Sequence, residues 1–115
     1  MEEIYPVADF ESKFNDVVKR FTTAGWTQIA PEVFSITNTG GTIEAHVHIG
    51  DDVLMIDLAD KSEHASEVRI DYGDKLDAAI DALLQHQDTL DIANTDAFVA
   101  EIRSNFPDTL EFADR

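Results

Sequence analysis

Residues 44–60 read EAHVHIGDDVLMIDLAD. Polar and apolar residues alternate on both sides of Gly50-Asp51-Asp52, the pattern of two short strands joined by a tight turn. Over residues 42–49, Ile43, Ala45, Val47 and Ile49 point one way, while Glu44, His46 and His48 point the other. Over residues 53–59 the same alternation places Asp57 on the solvent face beside Val53 and Met55, because an unpaired buried carboxylate is costly. One face of this hairpin is built for a core and the other is acidic, which predicts an antiparallel sheet with one side open to water.

On the N-terminal side, Phe10, Phe14, Val17, Val18 and Phe21 recur with a helical period. Asp9 is placed to cap that helix and Gly25 to end it. Residues 26–30 and 33–38 are β-rich runs split by Pro31-Glu32, and Asn38-Thr39-Gly40-Gly41 is turn chemistry. On the C-terminal side, residues 60–66 read as a polar loop and residues 67–72 as a fifth strand. Beyond Gly73-Asp74 the period changes: Leu76, Ile80, Leu83, Leu84 and Gln87 lie on one helical stripe. A last helix begins near Asn94 or Thr95, turns Phe98, Val99 and Ile102 inward, and stops before Pro107.

The predicted order is α-β-β-β-β-β-α-α. It gives an α+β, two-layer single domain over residues 1–115, with five mostly antiparallel strands in a meander and the helices on one face. The tail 107–115 is expected to be held loosely.

Composition narrows the function. The chain of 115 residues suits one domain, and its 43% hydrophobic residues, with seven Phe, supply core material despite the charge. It has no cysteine, which removes disulfides, thiolate nucleophiles and sulfur-ligated zinc. The start Met1-Glu2-Glu3 is acidic where a secretory leader would be basic, and no run is long and apolar enough to span a bilayer. A cytoplasmic protein is therefore expected.

Charge is the strongest global property: 24 Asp and Glu against 8 Lys and Arg, a formal −16. Residues 1–43 hold six acids against three bases, a net of −3, and residues 44–115 hold eighteen against five, a net of −13. Such a field disfavours direct contact with nucleic acid or an anionic membrane and favours a basic protein partner.

No G-x-S-x-G, H-E-x-x-H or phosphate-cradling glycine loop occurs, and carboxylates are too abundant for any one pair to point to acid–base work. The expectation is a protein that is not an enzyme and uses no cofactor. Glu44, His46 and His48 share a strand face and are the weak metal candidates. The spacing from Gly40 through His46-Val47-His48 to Asp52 partly resembles the first metal motif of cupins. It departs by carrying Asp where the usual acid is Glu, and no second motif follows. The stretch is accordingly read as an acidic hairpin with no metal. His64 falls in a loop and His86 late in a helix, and nothing in the sequence brings either to the pair as a distant ligand.

The candidate partner-binding residues are Asp51, Asp52, Asp57, Asp60, Asp74, Asp77, Asp81, Asp88 and Asp91. Asp77 and Asp81 lie one helical turn apart, and Asp88 and Asp91 fall near the same edge if that helix continues. Alternate strand residues are about 6.6 Å apart and i,i+4 helix pairs about 6 Å, close to the phosphate spacing along a DNA strand. In size and charge the chain resembles the small acidic inhibitors of restriction, CRISPR or repair nucleases that phages encode. That resemblance implies DNA mimicry against a nucleic-acid-binding protein. The alternative is a secretion-chaperone-like or toxin-immunity protein, in which a homodimer and an apolar patch from Trp26, Ile29, Phe34 or Tyr72 would be expected. A metal enzyme built on the HxH pair ranks third. A halophilic habitat or simple solubility would also produce an acidic surface.

Overall fold

The computed structural model describes the backbone of residues 7–107 and 111–114 and the side chains of residues 10–107. The elements run α1 (Val7–Thr23), β1 (Thr27–Ala30), β2 (Val33–Asn38), β3 (Gly41–His48), β4 (Val53–Asp60), β5 (Ala65–Asp71), α2 (Leu76–Gln85), α3 (Asp96–Asn105) and β6 (Glu111–Asp114). The strands form one antiparallel sheet in the order β1-β2-β3-β4-β5-β6. The expected α+β meander with one helix before it and two after is therefore present.

Four expectations need correction. The tail predicted to be loose supplies a sixth strand, β6, which pairs with β5; residues 108–110 and 115 lie outside the described residues. α1 begins at Val7, so Asp9 is inside the helix rather than its cap. β5 begins at Ala65, two residues early, because the β4–β5 turn is shorter than the run of polar residues suggested. α2 ends at Gln85, so Asp88 and Asp91 do not continue its edge.

The core lies on one side of the sheet. Phe34, Ile43, Ala45, Val47, Leu54, Ile56, Leu58, Val68 and Ile70 face the buried residues Val17 and Phe21 of α1, Leu76, Ala79, Ile80 and Leu83 of α2, and Phe98 and Ile102 of α3. Phe21 stacks on Phe34 with ring centroids 4.5 Å apart and meets Trp26 edge-on at 5.0 Å, arrangements that add to simple area burial. Three of the four apolar-patch candidates, Trp26, Phe34 and Tyr72, are thus core residues. Ile29 is the exception, 52% exposed on the edge strand.

Polar groups lock the junctions between elements. The Trp26 indole N–H donates to Gln87 Oε1 at 2.8 Å, and Gln87 Nε2 donates to the Ala24 carbonyl at 3.0 Å. Asn38 Oδ1 accepts from the amides of Gly40 and Gly41, organising the β2–β3 turn as an Asx turn. Tyr72 Oη donates to the His48 carbonyl at 3.1 Å, fastening the end of β5 to β3. Among the described residues, no helix is long and apolar enough to cross a membrane.

Candidate functional site

With the helices on the core side, the opposite sheet face is open among the described residues. The strand register decides what meets there. β3 and β4 pair Glu44 with Asp57, His46 with Met55 and His48 with Val53, while β4 and β5 pair Asp57 with Glu67 and Met55 with Arg69. Glu44, Asp57 and Glu67 therefore form one straight row over three adjacent strands.

The centre of that row is compact. His46 Nε2 lies 2.7 Å from Glu44 Oε1 and 3.4 Å from Asp57 Oδ2, and all three side chains are half-buried. Their ligand atoms fall within 4.8 Å of one another. His48 lies two residues on, exposed, with its ring 6.4 Å from that of His46 and 19° from parallel. The sequence grouped Glu44 and His46 with His48; the structure brings Asp57 to them instead. The signal was present in the chain, since a hairpin turning at Gly50-Asp51 pairs positions whose numbers sum to 101, as 44 and 57 do.

The other candidate acids fall into separate places. Asp51 and Asp52 occupy the β3–β4 turn, and Asp52 and Asp74 line a shallow cleft with Lys13, Ile49, Gly50 and Gly73. The side chains of Asp51, Asp52, Asp74 and Asp88 take no hydrogen bond or ion pair among the described residues. Asp60 and Asp91 sit together at the other end of β4, beside Gly40, Lys61 and Ser62. A strand of eight residues puts those two groups roughly 25 Å apart.

Asp77 and Asp81 both grip Arg20 of α1: Asp77 Oδ1 is 3.2 Å from Nη1, and Asp81 contacts Nη2. They tie α2 to α1 within the molecule. Sequence reasoning also missed the pairing of His86 with Glu101, 2.7 Å apart between the end of α2 and α3; no local pattern encodes it, because helix–helix placement sets it. His64 lies in the β4–β5 turn, its amide donating to Asp60.

Comparison with known proteins found no matching family model, no matching curated protein and no matching solved structure.

Proposed function

We propose that the chain is a non-enzymatic interaction module that binds the basic, nucleic-acid-binding surface of a partner protein and inhibits it by imitating a phosphate backbone. The observation that carries this reading is the row Glu44–Asp57–Glu67. Three carboxylates stand on neighbouring strands of a rigid sheet, about 5 Å apart from strand to strand. Asp71 stands on the same face of β5 but accepts from Arg69 Nε at 3.0 Å, whereas Asp51, Asp52 and Asp74 extend the negative surface beyond the β3–β4 turn. A rigid anionic strip meets a partner's Lys and Arg without losing much side-chain freedom, and its field speeds encounter before contact.

The chaperone-like or immunity alternative draws less support. It needs an exposed apolar patch, and of the four residues proposed for one only Ile29 is exposed.

The deciding experiment is capture from native host lysate with the wild-type chain and with a variant carrying Glu67→Lys in the row together with Asp51→Lys, Asp52→Lys and Asp74→Lys beyond it. Recovery of a basic nucleic-acid-binding protein, lost in the variant, at high salt and on addition of duplex DNA, is the expected result. Recovery only of a neutral or acidic protein, insensitive to all three, overturns the reading.

A further inference from the structure

We infer that Glu44, His46 and Asp57 form a binding site for one divalent transition-metal ion on the open face of the sheet. The ion would cancel the charges of Glu44 and Asp57 and leave Glu67, Asp51, Asp52 and Asp74 to carry the proposed partner surface; the inference itself needs no partner and rests on two observations. The first is geometric. β3 supplies Glu44 and His46 from alternate positions, and β4 supplies Asp57 from the position opposite Glu44. An ion with bonds near 2.1 Å holds its ligand atoms about 3.0 Å apart at right angles and about 3.4 Å apart at the tetrahedral angle. His46 Nε2 is 2.7 Å from Glu44 Oε1 and 3.4 Å from Asp57 Oδ2, and the three ligand atoms all lie within 4.8 Å of one another, so coordination requires the two carboxylates to adjust about the imidazole.

The second observation is electrostatic. Like charges directly opposite on neighbouring strands disfavour pairing, yet Glu44, Asp57 and Glu67 stand in register across three strands. The His46 ring already lies between Glu44 and Asp57; a dication at that step would relieve the repulsion further, and the half-burial of the three side chains limits screening by water.

The donor set fixes the class of ion. One imidazole nitrogen with two carboxylates suits zinc, cobalt, nickel or iron, whereas calcium and magnesium prefer oxygen alone. Three protein ligands leave at least one coordination position open on the outer face, for water or for a donor from another molecule. The chelate is thus a histidine with a carboxylate on its own strand and one across the hairpin; His48 is outside it.

The test uses the full chain, stripped with a chelator. It is titrated with Co(II) followed by visible absorption and with Zn(II) by calorimetry, and the Co(II) form is mapped by paramagnetic effects on amide and imidazole resonances. One equivalent is expected to bind, with the effects centred on residues 44, 46 and 57. Affinity is expected to fall at least about tenfold in His46→Ala and in Asp57→Asn, and to hold in His48→Ala. No saturable binding, effects centred on Asp51 and Asp52 or on Asp60, or loss in His48→Ala with Asp57→Asn unchanged would each overturn the site. The map on the wild-type chain decides the matter even where a variant fails to fold.

Discussion

The carboxylate of Asp60 accepts hydrogen bonds from the Ser62 hydroxyl at 2.9 Å, the Ser62 amide at 2.9 Å and the His64 amide at 3.0 Å. The Ser62 hydroxyl bond is the largest influence holding its pKa below the ordinary carboxylate value, with the two amides adding to it. A carboxyl depressed in the folded state stabilises fully above its unfolded pKa and loses that contribution as pH falls through the folded value. Ser62→Ala should therefore raise the Asp60 midpoint in an NMR titration; an unmoved midpoint would show that the hydroxyl bond does not form in solution. Gly41 is constrained differently. Its φ is +147°, and an added Cβ would meet the Ala59 carbonyl oxygen at 2.1 Å, whereas Gly50 has nothing within 4 Å. Gly41→Ala should lower unfolding free energy by at least about 2 kcal/mol in urea titration, through backbone strain and overpacking. Gly50→Ala should stay within about 0.5 kcal/mol of wild type. The need for two glycines at residues 40–41 could be read as turn chemistry, but the approach of β4 behind Gly41 could not.

Between elements, the grip of Arg20 on Asp77 and Asp81 gives α1 and α2 a fixed relative position at their exposed edge. Asp77 and Asp81 are 85% and 68% exposed at the side chain, so solvent screens the contact. A double-mutant cycle between Arg20→Ala and Asp81→Ala should give a coupling below about 1 kcal/mol, falling with added salt. A coupling several times larger would mean the clasp carries much more of the helix docking than its exposure implies. Helix faces were legible because Val17, Phe21, Leu76, Ile80, Leu83, Phe98 and Ile102 repeat with the helical period and are all buried, whereas Val99, expected to turn inward, is only half-buried and lines a surface cleft with Thr95, Asp96, Ala100 and Arg103. The end of α2 was less legible. The apolar stripe continues to Gln87, but Gln87 has left the helix to hold Trp26 and Ala24.

At the scale of the whole molecule, a formal charge of −16 over 115 residues repels itself in the compact state. Raising NaCl from about 0.01 M to about 0.5 M should lift the thermal midpoint by several degrees, since the screening length falls from about 30 Å to under 5 Å. A midpoint that falls with salt would mean internal ion pairs outweigh the repulsion. Alternation along residues 42–59 determined by itself that there is an antiparallel sheet with one apolar and one acidic face, because side-chain direction on a strand depends only on position parity. Composition likewise determined the excess of acid without reference to any contact. Only the tertiary structure decided which acids stand together. Cross-strand register set Glu44 opposite Asp57 and Asp57 opposite Glu67, helix packing turned Asp77 and Asp81 onto Arg20, and the length of β4 separated Asp52 from Asp60. Local periodicity specifies the face a residue occupies, whereas its neighbours on that face come from other strands and helices, whose alignment follows from burying one shared core.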